Sequence, residues 1–85
     1  MYIVVKHEIN DPARFGQTVE GLAPKIPDGI THHSAYPSTD WSEAMCLWEA
    51  PSVDALQKFL DKETGKASRN DYFPVAAEQA VGLPN

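Results

Sequence analysis

The sequence predicts an α+β domain in which two helices cover one face of a four-stranded antiparallel sheet. Two observations favour this class. A strand pattern at Tyr2–Ile9 and a second one at residues 44–50 each run directly into a helix start. Two weaker strand patterns, at residues 30–36 and 72–77, complete the order strand, helix, strand, strand, helix, strand.

The first strand is rich in β-branched residues and has two unlike faces, because side chains alternate across a strand. The more apolar face is expected to meet the helices, and it carries Ile3, Val5, His7 and Ile9. The other face carries Tyr2, Val4, Lys6 and Glu8.

Both helix starts have capping residues. Asp11 can accept hydrogen bonds from free backbone N–H groups, and Pro12 suits the first helical turn, which predicts a helix over residues 12–23. Ser52 is placed to cap a second helix over residues 53–60, whose apolar residues recur at helical spacing.

The remaining elements are weaker. The polar strand at 30–36 suits an edge of the sheet, and residues 37–42 read as a hairpin loop with Trp41 at an exposed tip. Residues 67–71 are expected to form a loop or a single turn. Pro74 places the last strand at an edge, because proline cannot donate to a ladder.

This order of elements is the split β-α-β pattern of ferredoxin-like folds, with the first and third strands at the centre of the sheet. Both helices then cover one face and leave the other open. In the simplest register, with even-numbered residues opposite each other, the open face carries Tyr2, Val4, Cys46 and Trp48. Such an apolar face predicts a homodimer.

The composition limits the functions to be considered. The 85 residues form a single domain, 1–85, and one cysteine excludes an intrachain disulfide. A formal net charge of −5 argues against a nucleic-acid partner. There is no leader pattern and no apolar run of membrane-spanning length, so a cytoplasmic protein without membrane contact is expected.

The strand at residues 46–50, which runs into a helix capped at Ser52, resembles the third strand and second helix of dimeric α+β-barrel proteins. Residues 72–75 and 82–84 are also similar to small uncharacterised members. The superfamily includes antibiotic-biosynthesis-type monooxygenases and muconolactone isomerases, and a related group includes nickel-binding ferredoxin-like proteins. The resemblance implies a ferredoxin-like chain that dimerises, and many barrel enzymes of this type place a histidine on the second helix. This chain has none there.

Three histidines raise the question of a metal. Neighbouring His32 and His33 point to opposite faces of a strand. His32 is expected opposite the Trp48 end of the third strand and His7 opposite the Ala44 end, which separates them by roughly 13 Å at about 3.3 Å per residue. We therefore expect no metal site made from one chain, and a shared site would need a second subunit.

Five residues are candidate ligand contacts, because the simplest register places them on one face with aromatic walls and a few polar groups. They are Lys6, His32, Tyr36, Cys46 and Trp48. The alternative is a partly polar dimer interface, in which aromatic residues are also common. Cys46 itself is either a small buried hydrophobic residue or, with a histidine as base, a nucleophile.

No phosphate loop, serine-centred elbow or zinc spacing is present, so no catalytic residues and no cofactors are assigned. The expected function is the binding of a small molecule in a pocket between the sheet and a dimer partner, with a cofactor-free oxygenase, cyclase or isomerase activity left open. The alternatives are a metal-binding or metal-buffering protein and a non-catalytic interaction module.

Overall fold

The computed structural model describes residues 1–84, and Asn85 lies outside them. Six main elements follow in order: β1 (Tyr2–Ile9), α1 (Pro12–Glu20), β2 (Thr31–Pro37), β3 (Glu43–Glu49), α2 (Val53–Thr64) and β4 (Ser68–Pro74). The predicted α+β class and element order are confirmed. No helix in these 84 residues is both long enough and apolar enough to cross a membrane.

The four strands form one sheet in the order β2-β3-β1-β4. β1 pairs antiparallel with both β3 and β4, and β2 pairs antiparallel with β3. The prediction that the first and third strands are central and the second and fourth are edges is confirmed. The fold is compatible with the ferredoxin-like architecture.

Both helix starts are as the sequence predicts. The Asp11 carboxylate accepts from the backbone N–H of Arg14 at 3.1 Å, and the Ser52 hydroxyl accepts from Ala55 at 3.1 Å. The helix ends differ from the prediction. α1 stops at Glu20 and is followed by a short 3₁₀ turn, whereas α2 continues four residues past 60 to Thr64.

The prediction of a loop at residues 67–71 is wrong for most of that segment. β4 begins at Ser68, where it pairs with Ile9, and ends at Pro74, where it pairs with Ile3. Residues 68–71 are polar and carry no strand pattern of their own. They are strand because the long central β1 needs a partner for its backbone groups along its whole length.

The expected register between β1 and β3 is also wrong. Odd-numbered residues of β1 lie opposite even-numbered residues of β3, with Ile3 opposite Trp48 and Val5 opposite Cys46. Trp48 and Cys46 are therefore buried beneath the helices, with 1% and 6% of their surface exposed, and do not belong to the open face. A register shifted by one residue moves every side chain of a strand to the other face.

A bulge in β2 changes the predicted grouping of its side chains. His32 pairs with Trp48, but the register slips between His32 and Ser34, so Ala35 pairs with Cys46 and Tyr36 with Met45. Two residues of a bulged strand oppose one on its partner, which reverses the alternation beyond that point. His32 and Ala35 consequently lie on the helix side, while Tyr36 lies on the other side.

The main core lies between the helices and the sheet. Its largest fully buried side chains are Trp48, Ile3, Leu56, Leu60 and Val5. The expectation that the odd-numbered face of β1 meets the helices is confirmed.

The opposite side of the sheet, here called the open face, carries an apolar patch among charged side chains. Its apolar side chains, read from the strand register, are Tyr2, Val4, Tyr36, Met45, Leu47 and Phe73. The charged side chains on the same side are Lys6, Glu8, Glu43, Glu49, Arg69 and Asp71. Tyr36 and Phe73 are each 66% exposed and Met45 is 44% exposed. Lys6 forms an ion pair with Glu43 at 3.4 Å at the edge of this patch.

Aspartate substitutions at two neighbouring positions of β3 test the register. Cys46→Asp places an unpaired carboxylate under the helices, at a cost of several kcal/mol, and we expect it to unfold the protein at neutral pH. Met45→Asp places the same charge on the open face and should leave the far-UV circular dichroism spectrum native. Equal effects of the two substitutions in urea denaturation would contradict the register.

Candidate functional site

A largely apolar cavity of about 130 Å³ lies on the helix side of the sheet. α1 contributes Phe15, Thr18 and Val19 to its walls, the turn after α1 contributes Leu22, and α2 contributes Leu60 and Thr64. The strands and the hairpin contribute His7, His32, Ala35, Pro37, Trp41, Ala44, Cys46 and Trp48. For comparison, an engineered cavity of roughly 150 Å³ in another protein core stays dry and binds benzene or xenon.

Small side chains under α1 leave this space. Ala35, Ala44 and Cys46 are the small side chains that β2 and β3 present there, and none of them reaches far from the sheet. Val19 and Trp41 also line the cavity but are 40% and 43% exposed, so the cavity opens to solvent between α1 and the β2–β3 hairpin.

The hairpin holds Trp41 at this opening in an unusual backbone conformation. Trp41 has a φ of 59°, in the left-handed region that side chains with a Cβ disfavour. The turn is braced by Asp40, whose Oδ1 accepts from the Ser38 hydroxyl at 3.0 Å and from both the N–H and the hydroxyl of Ser42. These hydrogen bonds, those from Ser42 above all, lower the pKa of the exposed Asp40 carboxyl. The prediction that Trp41 lies at an exposed tip is confirmed, and its side chain also lines the cavity.

Trp48 forms the inner wall. Its ring stacks on the His32 imidazole with centroids 4.3 Å apart and planes 16° apart, and it meets Phe59 edge-on at 6.2 Å. Its indole Nε1–H is buried and has no hydrogen-bond partner among residues 1–84. Buried donors are nearly always paired, because leaving one unpaired costs about 1–3 kcal/mol.

His7 is held at another wall by a hydrogen-bonded cluster around Asn70. The His7 Nδ1 lies 2.6 Å from Asn70 Oδ1, which also accepts from the Ser68 hydroxyl at 2.7 Å. The amide nitrogen of Asn70 donates to Asp61 Oδ1 at 3.0 Å and to Thr64 Oγ1 at 2.9 Å. All four hydrogen-bonding positions of the Asn70 amide are therefore used.

The cluster fixes which nitrogen of His7 carries its hydrogen. The Thr64 hydroxyl donates to the Leu60 carbonyl, so it can only accept from Asn70, and this sets the orientation of the amide. Asn70 Oδ1 is an acceptor, so neutral His7 donates from Nδ1–H and its Nε2 is left as a basic lone pair. The His7 ring packs against Phe15 with centroids 5.1 Å apart.

Burial favours the neutral forms of the titratable side chains that line the cavity. Desolvation lowers the pKa of His7, opposed by its hydrogen bond to Asn70, with smaller effects from the charges of His32 and Asp61. Desolvation also lowers the pKa of His32, whose Nε2–H donates to the Ser34 carbonyl at 3.1 Å. Burial raises the pKa of the Cys46 thiol to about 11, which disfavours the nucleophilic thiolate.

Of the five ligand-contact residues predicted from the sequence, His32, Cys46 and Trp48 line the cavity together. Lys6 and Tyr36 do not join them. Both belong to the open face, where Lys6 lines a more open depression with Val4, Met45 and Phe73. The prediction that all five residues share one face was wrong, because it assumed that even-numbered residues of neighbouring strands lie on the same side of the sheet.

Sequence reasoning missed His7 and Asn70 as a pair. They lie 63 positions apart in the chain and meet because β1 and β4 are neighbours, with His7 directly opposite Asn70. The only signal was that His7 shares a face with Ile3 and Val5, which marks a polar side chain directed toward the core.

The third histidine lies elsewhere. His33 contacts Tyr2 with ring centroids 5.6 Å apart, and its Nε2 is 3.0 Å from Glu49 Oε1. The expected positions of two histidines along β3 are confirmed, with His32 at the Trp48 end and His7 at the Ala44 end, although both line one cavity. Within residues 1–84 no three His, Cys, Asp or Glu side chains cluster as a metal site would require.

Comparisons with protein-family models, with curated proteins and with solved structures find no match to this chain.

The buried histidines predict how stability depends on pH. The folded-state pKa of both His7 and His32 lies below the ordinary value of about 6.5, so below that pH the unfolded chain binds protons that the folded chain does not. The contribution of these histidines to the free energy of unfolding should therefore be greatest above about pH 6.5, and it should decrease as the pH drops toward their folded-state pKa values. Urea denaturation at a series of pH values should show this fall.

The control is the variant His7→Gln, which should make the dependence shallower. The groups that act on the pKa of His7 are Asn70, through its hydrogen bond, and the charges of His32 and Asp61. A free energy of unfolding that rises on acidification from pH 7 to pH 5 would contradict the burial of neutral imidazoles.

Proposed function

We propose that the protein binds a small, mainly apolar molecule carrying a hydrogen-bond acceptor in the cavity between its helices and its sheet. The observation that carries the proposal is the apolar cavity itself, whose lining includes Trp48, and the indole N–H of Trp48 is buried and unpaired within residues 1–84. A ligand oxygen that accepts this hydrogen bond removes the cost of the unpaired donor.

The size and lining of the cavity support a ligand with about as many heavy atoms as benzene. Phe15, Leu22 and Leu60 supply apolar walls. Trp48 and His7 are lining residues whose ring nitrogens Nε1 and Nε2 have no hydrogen-bond partner within residues 1–84. Such a lining, apolar with a few polar groups, is typical of small-molecule sites. The ligand proposed here is enclosed by one chain, and a dimer partner is not needed to complete the walls.

Cyclohexanone and methylenecyclohexane form a matched pair of probes, since they differ only in a carbonyl oxygen replaced by a methylene group. We expect cyclohexanone to move the Trp48 indole N–H signal downfield in ¹H–¹⁵N spectra, and to bind more tightly than the hydrocarbon. The advantage should be about two- to tenfold in Kd, as one hydrogen bond contributes about 0.5–1.5 kcal/mol.

Two variants control this experiment. Trp48→Phe removes the N–H and should abolish the preference for the ketone. Cys46→Leu fills the cavity and should weaken binding of both probes. The absence of saturable binding by either probe, with the signals of Phe15 and Trp48 unmoved, would overturn the proposal.

We further infer that the open face is covered by a second copy of this chain. Tyr36, Met45 and Phe73 expose large apolar side chains on one side of the sheet. Lys6 lies between Glu43 at 3.4 Å and its cross-strand neighbour Asp71, so charges of both signs flank the patch. A two-fold axis through such a patch pairs apolar with apolar and opposite charges with one another.

Phe73→Asp tests this dimer. The substitution puts a charge on the β4 side of the patch, and sedimentation velocity at micromolar concentration should show a monomer where the native protein is a dimer. Val81→Asp is the matched control, because Val81 is 99% exposed and lies outside the sheet, and it should remain dimeric. Trp48, which is buried under the helices, does not test the interface. A native protein that sediments as a monomer would refute the dimer.

A further inference from the structure

His7 has the surroundings of a base and not of a packing residue. Only 2% of its surface is exposed, yet its ring lines the cavity, and its Nδ1 is tied to Asn70 at 2.6 Å. No hydrogen bond to its Nε2 occurs within residues 1–84. A general base needs a free lone pair, a fixed orientation and a partner that stabilises its protonated form.

The cluster behind His7 meets the last requirement. On protonation the imidazolium keeps its Nδ1–H hydrogen bond to Asn70 Oδ1. The amide nitrogen of Asn70 in turn donates a hydrogen bond to the Asp61 carboxylate at 3.0 Å. Asp61 is itself held by the Tyr72 hydroxyl at 2.7 Å. The negative charge of Asp61 stabilises positive charge on His7, while Asn70 prevents the ring from rotating.

The geometry points to His7 as the base that takes a proton from a small carbonyl compound bound in the cavity. The C–H bond next to the carbonyl breaks, its proton moves to His7 Nε2, and the electron pair stays on the ligand as an enolate. The enolate oxygen accepts the indole N–H of Trp48. Return of the proton to a different carbon restores neutral His7 and yields an isomer, so the step needs no further reactant.

This inference rests on the proposed binding function and adds a reaction to it. The lowered pKa of His7 supports it, because burial keeps Nε2 unprotonated at neutral pH. The charged or titratable groups that face the ring from neighbouring elements are Asp61 on α2 and His32 on β2, with the protonated Cys46 in the same cavity. Asn70 is a positioning residue in this scheme.

The first test needs no ligand. Two-dimensional ¹H–¹⁵N multiple-bond spectra of histidine-labelled protein at pH 7.5 report the tautomer of each ring. We expect the Nδ1–H form for His7 in the native protein, and a mixture of both forms in Asn70→Ala. An Nε2–H tautomer in the native protein overturns the inference, whatever the ligand.

The second test uses cyclohex-3-enone, whose conversion to the conjugated cyclohex-2-enone is read by ultraviolet absorbance. We expect the native protein to accelerate it beyond an equal concentration of imidazole, with a rate that rises with pH as His7 loses its proton. His7→Gln should lower the rate by about a hundredfold or more. His33→Gln, altered on the far side of the sheet, is the matched control and should keep the native rate.

The outcomes separate the two proposals. Saturable binding of cyclohex-3-enone, seen as a shift of the Trp48 indole signal, with no acceleration or with equal rates in His7→Gln, overturns the base and leaves the binding function standing. Absence of binding by cyclohex-3-enone and by cyclohexanone overturns the binding function and the inference together.

Discussion

The register between β1 and β3 is the constraint on which the rest of the molecule depends. Because Ile3 lies opposite Trp48 and Val5 opposite Cys46, the largest aromatic side chain of β3 is enclosed by the helices. The same pairing turns Met45 and Leu47 to the other side of the sheet. The pairing of β1 with β3 therefore determines which side chains line the cavity and which apolar side chains lie on the open face.

The polar groups of the cavity differ in how they are satisfied. The Asn70 amide uses all of its hydrogen-bonding capacity in fixing His7, whereas the Trp48 indole N–H uses none among residues 1–84. In a domain whose total stability is on the order of 5–15 kcal/mol, an unpaired buried donor is a considerable cost. Under the binding proposal, a ligand with a hydrogen-bond acceptor removes this cost.

Much of the architecture could be predicted from local patterns, because caps and apolar periodicity act over a few residues. Asp11 and Ser52 begin the helices as expected. The side on which each strand's residues lie could not be predicted, because it depends on pairing across the sheet. The bulge between His32 and Ser34 contains no glycine that would have marked it.

The candidate site, like the fold, could be predicted from the sequence only in part. His32, Cys46 and Trp48 were found as a group because their mutual pairing holds in the observed register, whereas Lys6 and Tyr36 were assigned to the wrong side. The link between His7 and Asn70 could not be found, because polar residues 68–71 carry no strand pattern until β1 pairs with them. Long-range pairing thus decides the chemistry of this site, while local sequence decides its elements.

The proposed ligand site requires a cavity beneath the helices that admits a guest, and xenon reports on that space without any polar contact. Xenon binds apolar cavities without needing a hydrogen bond, so a crystal of the protein equilibrated under xenon pressure reports the space itself. We predict a xenon atom bounded by Phe15, Cys46 and Trp48. A cavity that is closed by α1, or xenon found only on the open face, would contradict a ligand site between the helices and the sheet.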